Sequence, residues 1–199
     1  MEILIATQNS HKVEELQAIL REHKLLTPRD AGMDFSFEEK GTSFLENSLG
    51  KAMELFRQAG RPVLADDSGL VIPALNGEPG IYSARYGSGD LEKNLEAPER
   101  NRYLLGKMEG MTNREAFFVC SMTLVLSSER FFIVQETLNG EIAEQPSGTH
   151  GFGYDPLFFL PEYGKTVAEI PEKEKNRISH RGRAGLRMKA LLKSLEETI

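Results

Sequence analysis

The chain has 199 residues, of which 40% are hydrophobic and 27% charged, and its formal net charge is -6 at pH 7. These values are typical of a globular protein with one sizeable core, and the negative charge argues against a general affinity for nucleic-acid polymers. With Cys120 as the single cysteine, no disulfide framework is expected and a reducing cytoplasm fits. No apolar run approaches the roughly 18 residues of a membrane span, so we expect a cytoplasmic protein that does not enter membranes.

The N-terminal segment predicts a strand followed by a helix. Residues 3–6 form a short apolar run typical of a buried strand in an α/β sheet. Four apolar residues and a histidine follow the helical spacing, namely Val13, Leu16, Ile19, Leu20 and His23. Asn9 or Ser10 is expected to cap this helix. The polar residues 7–12 therefore lie at a strand-to-helix junction, where free backbone N–H groups favour an anion. A plain helix cap and a phosphate site both fit this junction.

The next segment predicts irregular chain and then a long helix. Residues 25–42 contain several Gly and Pro residues and are expected to be irregular, with a short strand at residues 35–37. A helix is predicted from about Ser43 to Ala59, which places Asn47 and Lys51 on one face because they are four residues apart. Glu39 lies in the loop before this helix, and its position alone indicates only a solvated carboxylate.

Two adjacent carboxylates interrupt the apolar pattern that begins at Val63. Asp66 and Asp67 end a short strand-like run, and the Ser68-Gly69 pair that follows favours a turn. Because successive strand side chains face opposite sides, only one of the two carboxylates can face a given cleft. A surface turn and a site at a strand end both fit. The Gly- and Pro-rich residues 73–89 then predict a structured loop, which in compact domains is often functional.

The second half of the chain predicts a helical region, a hairpin and an aromatic loop. Residues 90–109 are expected to be helical, with Asp90 as a cap and a second helix starting near Pro98. Strands at residues 116–126 and 131–138 predict a long antiparallel hairpin. In residues 148–156 glycines flank aromatic side chains, which fits either a turn with core aromatics or a backbone close to a flat ligand. A further strand is expected at residues 157–160.

The C-terminal segment is locally basic and predicts a helix capped by Ser179. His180 and Arg181 then lie in the first turn of this helix, where the helix dipole disfavours cations. A residue placed against a local preference favours a functional role. The alternative is a solvated basic helix end.

Five polar clusters thus lie near the ends of predicted strands or helices. They are residues 7–12, Glu39, residues 66–68, residues 152–155, and Lys175 with His180 and Arg181. In an open α/β sheet such ends line one crevice. Together the clusters supply carboxylates for a magnesium ion, cations and N–H groups for phosphates, and an aromatic ring for a base. The sequence therefore predicts a single domain spanning residues 1–199 that performs hydrolysis or transfer on a nucleoside triphosphate.

Six ordered motifs also carry a family resemblance. They are Thr7-x-Asn9-x-x-Lys12, Phe44-x-Glu46-Asn47 with Lys51, Ala65-Asp66-Asp67-Ser68-Gly69-Leu70, Pro79-Gly80-Ile81-Tyr82-Ser83-Ala84-Arg85, Gly151-Phe152-Gly153-Tyr154-Asp155-Pro156 and Ser179-His180-Arg181-Gly182. Over essentially its whole length the chain resembles the inosine triphosphate pyrophosphatase family. The resemblance implies an α/β fold with an elongated mixed sheet flanked by helices, in two lobes around a central active-site cleft. It also implies a homodimer that uses Mg²⁺ to hydrolyse XTP, ITP and dITP to the monophosphate and pyrophosphate, removing them from the nucleotide pool.

The resemblance further implies roles for individual residues. Asp67 is expected to be the catalytic proton acceptor and a magnesium ligand, with Glu39 as a second ligand and Asp66 in support. The residues expected to bind the phosphates are Thr7, Gln8, Asn9, Ser10, His11, Lys12 and Lys51. Ser68 is expected to contact the substrate as well. The residues expected to bind the base are Phe152, Gly153, Tyr154, Asp155, Lys175, His180 and Arg181. His150 departs from the family pattern, in which glycine usually stands at this position, and its side chain is expected to narrow the base pocket.

Base selection is expected to rest on hydrogen bonding. Donors from His180 and Arg181 suit a 6-oxo purine and leave the 6-amino group of adenine unpaired, and unpaired buried polar groups can discriminate strongly. Two other functions stay open: a sensor that binds triphosphates without cutting them, and an enzyme of related shape that acts on pyrimidine triphosphates.

Overall fold

A mixed β-sheet organises the chain. The computed structural model describes residues 1–89 and 95–197, and in them the strands are β1 (Glu2–Ile5), β2 (Lys24–Leu26), β3 (Val63–Val71), β4 (Glu115–Ser127), β5 (Arg130–Ile142), β6 (Phe158–Leu160) and β7 (Lys165–Thr166). Within this described part, the seven strands follow the order β2-β1-β3-β4-β5-β6-β7. β1 pairs in parallel with β2 and β3, whereas β6 pairs antiparallel with β5 and β7. The sheet is therefore mixed, and the expected α/β class is confirmed.

The helices are α1 (Ser10–Ile19), α2 (Phe44–Ala59), α3 (Ala97–Lys107), α4 (Glu172–Ile178) and α5 (His180–Glu196), with 3₁₀ turns at Pro73–Leu75, Gly80–Tyr82 and Val167–Glu169. Helices alternate with strands as far as α3, after which β4 to β7 follow one another and two helices end the chain. The chain divides into two compact units. Unit 1 comprises Met1–Asp67, Cys120–Glu136 and Asn176–Ile199, and unit 2 comprises Ser68–Val119 and Thr137–Lys175. Among the helices of the described residues, none combines the length and the apolar composition needed to cross a membrane.

Unit 1 has three layers, because its strands β1 and β3 are buried on both faces. Ile3 and Ile5 belong to one apolar cluster with side chains of α1 and α5, whereas Leu4 and Ala6 belong to a second cluster with side chains of α2. This alternation follows from the two-residue period of a strand. In β3, Leu64 likewise joins the α1 and α5 cluster, and Val63 and Ala65 join the α2 cluster. Helices α1 and α5 therefore cover one face of β3, and α2 covers the other.

Unit 2 is held by aromatic contacts. The rings of Phe118 and Phe158 lie 4.3 Å apart, and those of Tyr86 and Tyr103 meet edge to face at 5.1 Å. Gly140 lies against Phe158, since a Cβ at this position would come within 2.5 Å of both Phe158 Cε1 and the Phe159 carbonyl oxygen. Glycine is therefore required at this point of β5.

Gly140→Ala is expected to destabilise the protein by about 1–3 kcal/mol, because the added methyl group overpacks the contact with Phe158. Gly106→Ala in α3 is the matched control: its Cβ would meet nothing within 4 Å. Removing glycine from a helix is expected to stabilise by up to about 1 kcal/mol. Urea unfolding measures both values, and equal effects of the two substitutions would contradict this packing.

The predicted caps of α1 and α5 are confirmed, and α2 begins where it was predicted to begin. Asn9 caps α1, where its Oδ1 accepts a hydrogen bond from Lys12 N at 3.3 Å. Ser43 caps α2 and Ser179 caps α5 through the same type of bond. Only two residues separate β4 and β5, which are neighbours in the sheet. So short a connection requires the antiparallel hairpin that was predicted.

Four predictions were wrong. The first helix was expected to reach His23 but ends at Ile19. Residues 35–37 are not a strand, although Phe35 is buried in the α2 cluster. Strand β2 lies partly in a segment expected to be irregular; it is a three-residue strand at the end of the sheet order. Ser68-Gly69 is not a turn, since β3 continues to Val71. The expected cap Asp90 lies outside the described residues.

Candidate functional site

The two carboxylates of β3 lie just beyond the end of β1. The parallel register pairs Ile5 with Leu64, and Ala6 N donates to the Leu64 carbonyl at 2.8 Å. From this point the N-terminal chain leaves the sheet and enters α1, so Asp66 and Asp67 stand beside the strand-to-helix junction. Both are buried, with 0% and 6% of their surface exposed, which rules out the surface turn.

Asp66 and Asp67 face opposite sides of the sheet, as the strand period requires. Asp66 continues the row of Leu64 and contacts α1 and α5. Its Oδ2 lies 3.0 Å from Lys12 Nζ and 3.2 Å from Arg181 Nε. Asp67 continues the row of Ala65 and contacts α2, where Asn47 Nδ2 donates to its Oδ2 at 3.0 Å. The expectation that the pair divides between two faces is confirmed.

The Asp66 side holds a buried charge cluster. Arg181 also binds Glu15 of α1, with Nη1 at 2.7 Å from Oε2. Burial favours the neutral carboxyl, but the charges of Lys12, Arg181 and Lys51 outweigh it and hold the pKa of Asp66 well below its usual range. For Arg181, burial is likewise outweighed by Asp66 and Glu15, which raise the pKa of the guanidinium. Asp66 and Arg181 therefore stay ionised at neutral pH.

The Asp67 side has the opposite electrostatics. Burial, and then the negative charge of Glu39, raise the pKa of Asp67 to about 6, although Lys12, Lys51 and the Asn47 hydrogen bond partly oppose the shift. A carboxyl with a pKa near neutrality can accept a proton and release it again at physiological pH. Asp67 thus has the property that a general base requires.

Glu39 is held close to α2. Lys51 Nζ lies 2.5 Å from Glu39 Oε1. Burial lowers the pKa of the buried Lys51 ammonium, but Glu39, Asp66 and Asp67 outweigh it and raise that pKa above its ordinary value. Lys51 is therefore a permanent cation among carboxylates.

The donor set on this side fits a magnesium ion. Asp67 and Glu39 supply carboxylate oxygens, and the repulsion that raises the pKa of Asp67 is the kind that a divalent cation relieves. Within residues 1–89 and 95–197 there is no group of three or more His, Cys, Asp or Glu arranged for a metal. Mg²⁺ commonly takes one or two carboxylates and completes its shell with water and substrate phosphates, so two carboxylates are sufficient.

The junction residues 7–12 divide between the interior and the surface. Lys12 points inward to Asp66, whereas Ser10 and His11 are exposed. Thr7 Oγ1 accepts a hydrogen bond from Asn9 N at 3.2 Å, and Gln8 Nε2 donates to the Phe35 carbonyl at 3.2 Å.

A second polar cluster lies in unit 2, on the loop of residues 151–155. Asp155 Oδ2 accepts hydrogen bonds from Phe152 N at 2.8 Å and from Lys175 Nζ at 2.7 Å. Lys175 Nζ also lies 4.8 Å from the centre of the Phe152 ring. Gly151 has φ +73°, and a Cβ there would overlap Asp155 Oδ2, so the loop needs glycine at this position. The arrangement presents a half-buried ring with a cation beside it.

Helix α3 supports this loop. Asn101 Nδ2 donates to the Gly153 carbonyl at 3.1 Å, and the Arg100 guanidinium lies 5.3 Å from the centre of the Tyr154 ring. Tyr154 is buried, and its hydroxyl donates to the Ser83 carbonyl at 2.9 Å. Of the two aromatic residues considered for stacking, Tyr154 packs inside unit 2 and Phe152 is the more exposed.

The structure brings most of the predicted residues into two clusters. Unit 1 joins Lys12, Glu39, Lys51, Asp66, Asp67 and Arg181, and unit 2 joins Phe152, Gly153, Tyr154, Asp155 and Lys175. His180 is buried in the first turn of α5, Ser68 is half-buried on β3, and His150 is exposed.

The sequence analysis assigned no role to Glu15, Asn47 or Asn101, although it placed Asn47 on the same helix face as Lys51. Glu15 carried no signal in the sequence, because the helical spacing places it outside the apolar stripe; in the structure it is buried and pairs with Arg181.

Comparison with known proteins decides the family. A model of the Ham1 family matches residues 3–191. This chain belongs to the Ham1 family. The family resemblance of the six motifs is thereby confirmed.

The Ham1-family protein is similar to curated enzymes over nearly its whole length. It is 47% identical over 184 residues to the dITP/XTP pyrophosphatase of Treponema denticola, covering 92% of this chain and 94% of that protein. It is 44% identical over 195 residues to the dITP/XTP pyrophosphatase of Legionella pneumophila strain Paris, covering 96% and 98%.

Solved structures agree with the sequence matches. A HAM1 protein from Coxiella burnetii superimposes with a TM-score of 0.88 at 40% identity, covering 98% of this chain and 99% of that one. The Staphylococcus aureus Ham1 protein gives a TM-score of 0.86 at 36% identity with the same coverage.

Proposed function

We propose that this Ham1-family protein is a nucleoside triphosphate diphosphatase that hydrolyses XTP, ITP and dITP to the monophosphate and pyrophosphate. The observation that carries the proposal is Asp67, a buried carboxyl with a pKa near neutrality that lies among cations and faces the charge of Glu39. The names of the relatives from Treponema denticola and Legionella pneumophila support the substrate class.

The triphosphate is assigned to the N-terminal junction and α2. Residues 7–12 offer N–H groups at the start of α1, and the side chains of Lys12 and Lys51 offer positive charge. The neighbouring carboxylates raise the pKa of Lys51 and keep it charged at neutral pH. Ser68, next to Asp67 on β3, is assigned a further contact with the substrate. These groups offset the charge of the phosphates and of the transition state.

Mg²⁺ is the proposed cofactor, with Asp67 and Glu39 as its protein ligands. When bound, it supplies charge neutralisation and polarises the phosphoryl group. Asp67 accepts a proton from the attacking water, whose oxygen bonds to the α-phosphorus while the bond from that phosphorus to the pyrophosphate oxygen breaks. The two products are therefore the monophosphate and pyrophosphate.

The base is assigned to Phe152 and its neighbours. Phe152 offers a ring for stacking, Gly153 allows close approach, and Tyr154 and Asp155 hold the loop. Lys175, His180 and Arg181 are assigned to the base edge, where donors suit the 6-oxo group of hypoxanthine and xanthine.

We also propose that the protein is a homodimer in the cytoplasm. The family resemblance supports the dimer, and the single buried Cys120 fits a reducing compartment. Sedimentation equilibrium tests the dimer directly, and a monomer at all concentrations would contradict it.

A substrate panel tests the proposed function. Purified protein is incubated with ITP, XTP, dITP, GTP, ATP and dTTP, each with Mg²⁺ and with a chelator, and pyrophosphate is measured. We expect release from ITP, XTP and dITP only with Mg²⁺, and much less from ATP and dTTP. Uncut but bound ITP would instead indicate a sensor, and equal turnover of ITP and dTTP would indicate an enzyme of a different specificity.

A further inference from the structure

Asn47 makes two hydrogen bonds that connect Asp67 to the chain segment that carries Glu39. It is 1% exposed in the first turns of α2. Its Nδ2 donates to Asp67 Oδ2 at 3.0 Å, and its Oδ1 accepts from Gly41 N at 2.8 Å. Gly41 lies two residues after Glu39. One side-chain amide therefore links β3 to the segment that carries Glu39.

The partners fix the orientation of this amide. A carboxylate oxygen can only accept and a backbone N–H can only donate, so a flipped amide would lose both bonds. An aspartate of the same size would place a second carboxylate against Asp67, and an aliphatic residue would bind neither partner. The position therefore requires an amide.

The chain around Gly41 is fitted closely to Asn47. A Cβ on residue 41 would lie 2.6 Å from Asn47 Oδ1 and 2.8 Å from Glu46 Cβ. Glycine thus lets the backbone approach the amide. Glu46 binds the next residue, since its Oε2 accepts from Thr42 N at 2.6 Å and from Thr42 Oγ1 at 3.0 Å.

Helix α2 is itself anchored next to Asn47. Ser48 Oγ lies 3.1 Å from Ser121 Oγ and 3.0 Å from Thr123 Oγ1, and it donates to the Leu45 carbonyl at 3.1 Å. All three hydroxyl residues are fully buried. One donated and two accepted bonds use the whole capacity of a hydroxyl group, so the rotation of α2 against β4 is set one residue from Asn47.

We propose that Asn47 is a positioning residue that holds the Asp67 carboxylate and the Glu39 segment at one fixed separation, so that both carboxylates bind the same divalent cation. This inference rests on the proposed function for the identity of the ligands. It adds a residue that touches neither phosphate nor base, and it acts through Asp67 and Glu39.

The test measures metal binding and turnover separately. Mn²⁺ is the probe, because carboxylate oxygens suit both Mg²⁺ and Mn²⁺ and free Mn²⁺ is counted by electron paramagnetic resonance. In Asn47→Ala the dissociation constant for Mn²⁺ is expected to rise about tenfold or more, the usual effect of losing a partner of a metal ligand. The Mg²⁺ concentration for half-maximal pyrophosphate release from ITP is expected to rise in parallel, with a smaller change in KM for ITP.

Glu46→Ala is the matched control, since Glu46 holds the same segment but does not contact Asp67. It is expected to change Mn²⁺ affinity less than about threefold, well under the tenfold effect of losing a partner of a metal ligand. Gly41→Ala keeps the Asn47 amide but displaces its partner, and it is expected to reproduce the Asn47→Ala effect even if Asn47→Ala fails to fold. Three results would each overturn the assignment. The first is wild-type Mn²⁺ affinity in folded Asn47→Ala, and the second is an equal loss of Mn²⁺ affinity in Asn47→Ala and Glu46→Ala. The third is unchanged Mn²⁺ affinity in Gly41→Ala. Wild-type protein that binds Mn²⁺ without releasing pyrophosphate would instead refute the proposed function and leave the assignment standing.

Discussion

Asp67→Asn is expected to lower pyrophosphate release from ITP by about a thousandfold, the middle of the range for loss of a general base. The amide cannot accept the proton of the attacking water and offers a weaker metal ligand. Its Oδ1 can still accept the hydrogen bond from Asn47 Nδ2, so the fold is expected to be kept. Steady-state kinetics with saturating Mg²⁺ measures the loss, and near-wild-type turnover would remove Asp67 from its proposed role.

The same substitution is expected to stabilise the metal-free protein. Folding raises the pKa of Asp67 from 3.8 to about 6, so the folded state binds this proton more tightly than the unfolded state. The protonated Asp67 carboxyl therefore stabilises the folded state below about pH 4, and this stabilisation is lost as the pH rises to about 6. Above that pH, the neutral amide of the variant avoids the burial of a charge, and the gain is on the order of 3 kcal/mol. Thermal unfolding is measured in the presence of a chelator from acid to neutral pH. The melting temperature of Asp67→Asn should rise above that of the wild type between about pH 4 and pH 6.

Asp66→Asn is expected to have the opposite effect on stability. Asp66 is fully buried and balances Lys12 and Arg181. Removing one partner of a buried ion pair leaves uncompensated charge and costs about 3–5 kcal/mol. Urea unfolding measures this loss, and a cost below about 1 kcal/mol would contradict the charge cluster.

The pH dependence separates the two aspartates. The pKa of Asp66 lies below its usual range, so its contribution to stability is present at and above about pH 4 and is lost only as the medium becomes more acidic. The destabilisation in Asp66→Asn should therefore be constant from pH 5 to 8, roughly the range over which an ionised Asp does not titrate. Asp67→Asn is the internal control, because its effect changes within this range.

Much of the fold was predictable because local rules decided it. The caps Asn9, Ser43 and Ser179 began the helices where their side chains could accept backbone N–H groups. The Ser68-Gly69 pair misled the prediction, since local turn preference lost to the hydrogen bonds and burial of a long central strand. Phe35 misled it differently: an aromatic pair with strand-like spacing packs into the core without joining the sheet.

The sequence predicted which residues belong to the candidate site better than it predicted which residues they contact. Two adjacent carboxylates on a strand had to face opposite sides, but the sequence could not tell that α1 and α5 cover one face and α2 the other. The partners Glu15 and Arg181 are separated by 166 positions, and no local pattern connects them. Asn47 was visible on the face of Lys51, yet its two bonds depend on where β3 and Gly41 lie in space.

Hydrolysis of ITP in water enriched in ¹⁸O tests the central claim most directly, because it identifies the phosphorus atom that the water attacks. The account predicts that wild-type protein with Mg²⁺ places the label in inosine monophosphate and leaves pyrophosphate unlabelled, as mass spectrometry of both products can show. Label in pyrophosphate, or release of labelled orthophosphate with the diphosphate as co-product, would contradict attack at the α-phosphorus beside Asp67.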